Sequence, residues 1–143
     1  MRRIKTLVMS GGAKGQVKMG RVYGTIVCNN TSLHTLFDTG AVHNYITRGR
    51  AKGLSINRLP KPFTVGIGGE RRDIQEACFI YGELQGKRLF CWALVIEELG
   101  LDEQDKEIDM LFGAIEMQRW NIRIDPLEER LDLSGFREEF IEY

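Results

Sequence analysis

The chain has 143 residues, of which 43% are hydrophobic and 28% are charged, and its formal net charge at neutral pH is +0. This length predicts one domain with a substantial hydrophobic core. The balanced charge argues against nucleic-acid binding through a basic surface, and no apolar stretch of the sequence is long enough to span a bilayer. We therefore expect no nucleic-acid partner and no membrane partner.

Both ends of the chain differ in composition from its middle. Residues 1–16 include a glycine-rich run that lacks the spacing of a phosphate-binding loop, so we interpret them as a flexible leader or linker. The basic first residues are not followed by a sustained apolar stretch, which argues against a secretory signal. We expect the domain to span residues 17–135, and residues 136–143 to form an acidic tail.

The middle of the chain alternates β-rich segments with turns rich in glycine, asparagine and proline, a pattern typical of a barrel or sandwich. A helix is predicted at residues 114–120 and a shorter one at residues 48–54, ending near Gly53. Residues 97–108 are acidic and are expected to form a solvated loop with some helical turn. The predicted strands are residues 22–28, 32–37, 44–47, 63–70 with their turn, 74–84, 87–96, 121–125 and 130–133.

Three cysteines, Cys28, Cys78 and Cys91, are widely spaced and odd in number. This usage predicts reduced thiols and a cytoplasmic protein. The sequence has no CxxC pair and no Cys/His cluster, so we expect neither a metal nor a cofactor.

The clearest chemical signal is an acid at the end of an apolar strand. Residues 33–37 are largely apolar, and Asp38, Thr39, Gly40 and Ala41 follow them. A carboxylate that leaves a buried strand is costly unless it is hydrogen-bonded or has a chemical role. The chain has one such triplet, since Asp125 and Asp132 are better explained as turn acids.

A second signal is the glycine-rich tip predicted for a hairpin, with Gly66, Ile67, Gly68 and Gly69. Glycine allows the backbone angles and the close approach that a lid over an extended peptide needs. An ordinary hairpin turn has the same composition, and the two interpretations are compatible.

These features, followed by the apolar-glycine segment of residues 111–114, together resemble the retropepsin family: the aspartic proteases of retroviruses, LTR retrotransposons and their cellular relatives. The resemblance runs over about residues 17–133. Residues 38–41 match the family's catalytic motif residue by residue, and residues 111–114 resemble its hydrophobic-hydrophobic-glycine motif. Residues 38–47 look most like retrotransposon and cellular members, which often carry an Asn-aromatic-Ile segment there.

The resemblance implies an all-β fold: a closed barrel with one short helix in its C-terminal half, paired as a two-fold homodimer. It also implies an aspartic endopeptidase in which two Asp38 carboxylates, one from each subunit, activate a water. Two carboxylates close together share one proton, so one acts as a base and the other as an acid. The substrate would be a peptide or polyprotein, bound as an added strand.

Each residue of the motif then has an expected role. The Thr39 hydroxyl can bond across the two-fold axis, and the N–H of Gly40 can donate to the carboxylate. Ala41 has no hydroxyl to lower the pKa of the pair, so we expect optimal activity in mildly acid to near-neutral conditions. Ala41 and the hairpin residues Gly66, Ile67, Gly68 and Gly69 are the expected substrate-binding residues.

One departure from the viral pattern leaves other functions open. Many viral members have Arg-Asp after the late glycine, in ionic contacts that support the site and dimer, where this chain has Ala114 and Ile115. A non-catalytic dimerisation or extended-peptide-binding module with the same fold is therefore the alternative. A nucleic-acid-associated polyprotein fragment is a weaker third hypothesis. Residues 122–133 and the acidic tail are the candidate dimer contacts, since a two-fold interface must be self-complementary.

Overall fold

A computed structural model describes residues 20–138. The proposed leader at residues 1–16 and the last residues of the acidic tail lie outside this range. Within residues 20–138 the helices are α1 (Arg48–Ala51) and α2 (Ala114–Trp120). The strands are β1 (Arg21–Cys28), β2 (Thr31–Asp38), β3 (Tyr45–Thr47), β4 (Ser55–Ile67), β5 (Glu70–Leu84), β6 (Lys87–Ile96), β7 (Met110–Phe112), β8 (Arg123–Asp125) and β9 (Arg130–Asp132).

The fold is mostly β, as the sequence predicts. Seven strands form one sheet in the order β1-β2-β7-β3-β6-β5-β4, and β8 and β9 form a separate antiparallel pair. Strand β1 also pairs with β5, the last strand but one in this order, through Ile26 with Leu84 and Val27 with Glu83. The pairings β2–β7 and β3–β6 are parallel, and the other neighbours in the sheet are antiparallel.

The predicted helices differ in how well their lengths agree with the structure. Helix α2 spans the predicted residues, and it ends because Asn121 adopts a left-handed conformation, with φ of 56°. Helix α1 is a single turn that ends at Ala51, three residues before the predicted end. The N–H of Leu54 donates to the carbonyl of Ala51, which closes a turn after the helix. The helix therefore ends before Gly53 rather than at it.

The hairpin of β4 and β5 is longer than the sequence predicts, because β4 continues through Pro60 and Pro62. The β4–β5 pairing shifts register between Arg58 and Phe63, and both prolines lie in that interval. Strand β4 is at the edge of the sheet, where a residue without an N–H is tolerated.

The buried side chains fall into two clusters. The large cluster includes Phe37, Phe112 and Trp120 and also holds all three cysteines as free thiols. The second cluster is smaller and contains Leu36, Tyr45, Val65, Ile67, Ile74, Ile96, Leu99, Ile108 and Leu111. Burial raises the pKa of the Cys78 thiol to about 11, and it raises the pKa of the Cys91 thiol further.

None of the helices in residues 20–138 is long and apolar enough to cross a membrane.

Candidate active site

Strand β2 ends at Asp38, which lies at the edge of the hydrophobic core. Its side chains Leu33, Leu36 and Phe37 are fully buried, which fixes the strand against both clusters. Strand β1 pairs with it on one side, with Arg21 directly opposite Asp38. Strand β7 pairs with it in parallel on the other side, so the two strands end at the same edge of the sheet. A half-buried carboxylate thus stands at the end of a rigid strand.

The turn after Asp38 closes on the carboxylate itself. The N–H of Gly40 donates to Asp38 Oδ1 at 2.8 Å, and the N–H of Ala41 donates to the Asp38 carbonyl at 3.2 Å. Burial raises the pKa of Asp38, while the Gly40 N–H and the positive charge of Arg21 act in the opposite direction. The carboxyl is therefore held nearer to its protonated form than an exposed aspartate would be.

Thr39 faces outward from this turn. Its N–H donates to the Gly20 carbonyl at 2.7 Å, and its hydroxyl donates to the same oxygen at 3.3 Å. The side chain is exposed, so the hydroxyl lies on the outer side of the turn. Its expected contact across a two-fold axis needs a second chain and stays a prediction.

The segment after β7 packs directly on the turn that follows Asp38. An added Cβ on Gly113 would lie 2.5–2.9 Å from the carbonyl oxygens of Ala41, Val42 and His43. Glycine is required here for space, because its φ of −92° suits any residue. The N–H of Ala114 donates to the Ala41 carbonyl at 2.7 Å. The predicted apolar-glycine segment and the predicted acid are thus brought together.

Asn44 bridges three strands beside the turn. Its Oδ1 accepts the N–H of Gly113 at 2.8 Å, and its Nδ2 donates to the Trp92 carbonyl at 3.1 Å. The side chain is buried, so both bonds satisfy groups that water does not reach. The sequence pattern gave Asn44 no role of its own, although an asparagine within an apolar stretch is a signal of a buried hydrogen-bonding role.

The β4–β5 hairpin ends in the predicted glycine turn. Gly68 and Gly69 have φ of 57° and 82°, which a two-residue turn with two left-handed positions requires. Ile67 is buried in the second cluster with Leu36, two residues before Asp38, and Ala41 packs against the same cluster. Ile67 and Ala41 therefore share one apolar surface, whereas Gly66 and Gly69 are exposed.

The acidic loop, residues 97–109, is only partly the solvated loop that the sequence suggests, since residues 103–107 are exposed but its ends are buried. Leu99 and Ile108 are fully buried in the second cluster, so the loop is anchored to the core at both ends. An isolated bridge between Leu101 and Glu107 is its only β pairing among the described residues, and it contains no helix. The apolar residues at each end of the loop are the sequence signal that could have predicted this burial.

Two buried carboxylates of the acidic loop attach it to β2 at His34. Asp102 lies 2.8 Å from Nε2 of His34 and accepts the N–H groups of Gln104 and Lys106. Asp109 accepts the N–H of His34 at 2.8 Å and pairs with Nε of Arg50 at 3.0 Å. These contacts fix the acidic loop to the strand that carries Asp38, and they involve acids that sequence reasoning did not single out.

Comparison with solved structures identifies the fold. The chain superposes on the retroviral protease-like domain of Ddi1 from Leishmania major with a TM-score of 0.58 and 18% identity, covering 87% of this chain and 96% of that one. The fold is retropepsin-like. The retropepsin-like chain also matches the EIAV protease, solved in complex with an inhibitor, with a TM-score of 0.49 and 19% identity over 75% of this chain and 94% of that one. No protein-family model matches the sequence, and no curated protein does.

Proposed function

We propose that the chain is an aspartic endopeptidase that works as a homodimer. The observation that carries the proposal is the placement of Asp38 in a retropepsin-like fold. Asp38 is the last residue of a buried strand, and its carboxylate accepts a hydrogen bond from the N–H of Gly40. It lies at the same edge of the sheet as the turn at Gly113. Because the sequence contains one such triplet, a two-carboxylate site takes one Asp38 from each of two chains.

The chemistry follows from two carboxyl groups that share one proton. The ionised carboxylate removes a proton from a water as its oxygen attacks the peptide carbonyl carbon, and the protonated carboxyl donates to the carbonyl oxygen. The resulting tetrahedral intermediate then collapses. The C–N bond breaks as the carboxyl that took the water proton gives it to the amine nitrogen, and the other carboxylate takes a proton from a hydroxyl of the intermediate, which becomes the new carboxylic acid carbonyl, so the pair again holds one proton. The titration belongs to the pair rather than to either Asp38.

The glycine hairpin supports a peptide as substrate. Val65 and Ile67 place an apolar surface next to the strand that carries Asp38, while the turn at Gly68 and Gly69 provides a tight tip. An extended peptide between the hairpin and the Asp38 turn would bind as an added strand with side chains in alternate directions. Closing the hairpin over it would exclude water from the reaction.

The decisive experiment compares Asp38→Asn with Asp105→Asn on a peptide library. Asp105 is exposed in the acidic loop and has a left-handed φ of 61°, which asparagine also tolerates, so its replacement makes the same chemical change outside the proposed site and dimer contact. We expect Asp38→Asn to abolish cleavage with the fold retained, and Asp105→Asn to cleave as the wild type does. A pepstatin-type inhibitor should block the wild type. Cleavage by Asp38→Asn at the wild-type rate would refute the mechanism.

A non-catalytic peptide-binding module is the second candidate, and it is favoured by the segment after Gly113. Ile115 is 56% exposed, so this chain presents an apolar side chain where many viral relatives have a charged pair. Ala114 contributes a main-chain bond to the Ala41 carbonyl. Calorimetric binding of extended peptides by the wild type, without any cleavage over a broad pH range, would favour this function over hydrolysis.

A further inference from the structure

Arg21 is paired with Asp38 in the sheet and with a carboxylate of the acidic loop through its side chain. The register of β1 and β2 places Arg21 directly opposite Asp38. Its side chain is only 9% exposed, and its Nη2 lies 3.8 Å from Oε1 of Glu103, whose side chain is 54% exposed. Arg21 therefore links the strand pair that carries Asp38 to the acidic loop.

Two further titratable groups of the described residues, Tyr23 and Asp102, lie near these charges. Tyr23 on β1 stacks on His34, and its pKa is raised to about 12, first by burial and then by the charge of Glu103. Arg21 acts on Tyr23 in the opposite direction, and Asp102 and Asp38 add smaller contributions. Asp102 is bonded to His34 and to two N–H groups of its own loop. Glu103 is thus the acidic-loop carboxylate paired with Arg21.

We propose that Arg21 and Glu103 are positioning residues that set the charge balance at Asp38, with Arg21 favouring the ionised carboxylate and Glu103 reducing that effect. The proposal rests on the proposed function for its catalytic consequence, because it assigns control of the same site. Neither residue is proposed to touch the substrate. Both act through the catalytic carboxylate.

The physical basis is the electrostatic attraction between fixed charges. An arginine remains protonated throughout the accessible pH range, so Arg21 is a permanent positive charge beside Asp38. Glu103 compensates part of that charge while it is ionised. Because Glu103 is more than half exposed, water and salt screen its contribution, and the effect is a modest one that weakens as ionic strength rises.

The two residues therefore have opposite effects on the acid side of the pH–rate profile. Loss of the positive charge of Arg21 makes ionisation of Asp38 harder, so the rise in activity with pH should begin at higher pH. Loss of the negative charge of Glu103 makes ionisation easier, so the same rise should begin at lower pH. A purely structural role would lower activity in both variants without opposite displacements of the profile.

The test uses the full chain with Arg21→Gln and Glu103→Gln, and Arg88→Gln and Glu107→Gln as controls for the same changes at exposed positions. Two readouts are recorded: the acidic limb of kcat/KM, and the titration of the Asp38 carboxyl carbon by NMR. We expect Arg21→Gln to move both midpoints up by a few tenths of a pH unit and Glu103→Gln to move them down. The controls should leave both midpoints in place.

Arg21→Lys keeps the charge and should titrate close to the wild type, which keeps the test decisive if Arg21→Gln does not fold. Midpoints that move in the same direction in both charge-removing variants, or that do not move relative to the controls, would overturn the proposal. The NMR titration needs no activity. A wild type without hydrolysis but with opposite NMR displacements would sink the proposed function alone, whereas hydrolysis with unmoved titrations would sink this inference alone.

Discussion

The environment of Asp38 has a consequence for stability as well as for chemistry. Burial raises its pKa in the folded chain, and the Gly40 N–H and Arg21 offset this only in part. A carboxyl whose pKa is raised on folding binds more protons in the folded state, so its contribution to stability falls as pH rises from the unfolded pKa through the folded one.

We therefore expect Asp38→Asn to melt at a temperature equal to or above that of the wild type at neutral pH. The advantage should vanish below the pKa of an unfolded aspartate, about 3.9, because both states of the wild type are then protonated. Thermal melts at the two pH values check this. A variant less stable than the wild type at neutral pH would contradict it.

If the chain is an aspartic protease, we expect Ala41 to affect the pH optimum because its side chain has no hydroxyl. It is half-buried, and its N–H already donates to the Asp38 carbonyl. In Ala41→Ser, an added hydroxyl within reach of the carboxylate would stabilise its ionised form and lower the pKa of the pair. We expect the activity optimum to move to lower pH, with Ala41→Cys, a weaker donor of similar size, moving less. An optimum that stays in place in Ala41→Ser would argue against a role for this position.

At the level of elements, the Gly113 turn packs closely against the Asp38 turn. In Gly113→Ala, the new methyl group meets three carbonyl oxygens and must displace backbone. We expect a loss of about 1–3 kcal/mol of stability together with a lower kcat. Gly49→Ala is the matched control, since nothing lies within 4 Å of its added Cβ and alanine favours a helix. Denaturant unfolding would show whether the two variants differ as expected.

The acidic loop depends on Asp102 for its attachment to β2. Burial disfavours the ionised carboxylate, yet the N–H groups of Lys106 and Gln104 and the ring of His34 outweigh it and lower the pKa of Asp102. A lowered folded pKa stabilises the protein above the unfolded pKa, and this stability is lost as pH falls through the folded value.

Asp102→Asn should therefore be less stable than the wild type at neutral pH by about 1–3 kcal/mol. The difference should shrink below about pH 4, where the wild-type carboxyl begins to take up its proton. Denaturation at a series of pH values measures it. A difference that is constant down to strongly acid pH would show that the charge of Asp102 is not what holds the loop.

At the scale of the whole molecule, the proposed function requires two chains. The β8–β9 hairpin belongs to the predicted dimer contact at residues 122–133, and Leu127 in its turn is 86% exposed. If this hairpin lies in a two-fold interface, Leu127→Asp places two charges there, one from each copy. We expect at least about a tenfold weaker dimer, since burying one leucine side chain is worth about 1.5–3 kcal/mol.

Sedimentation at several protein concentrations, with activity measured at each, tests the interface. Leu127→Ile keeps the apolar surface and should behave as the wild type does. A wild type that is fully active as a monomer at every concentration would remove the dimer from the proposal. Unchanged association in Leu127→Asp would instead move the interface away from this hairpin.

The sequence predicted what depends on local pattern. Helix α2, strand β6 and the glycine turn at the hairpin tip all follow from nearby residues, and so does the strand that ends in Asp38. Contacts between distant segments were not readable in this way. The bonds of Asn44 to Gly113 and of Asp102 to His34 join residues 69 and 68 positions apart, and no local pattern names the partner of either side chain. Strand β4 was underestimated because its prolines signal a break, although an edge strand accommodates them.

The three buried thiols allow transient opening of the core to be measured by chemical labelling. Cys28, Cys78 and Cys91 lie in the large cluster, and burial raises the pKa of Cys78 and Cys91, so these two carry little reactive thiolate while the core is closed. A thiol reagent would therefore modify them mainly during excursions in which β1, β5 and β6 separate. The rate of labelling, followed by mass, would count those excursions without any added probe. A lower labelling rate after addition of a peptide ligand would measure how strongly an occupied site restrains the sheet.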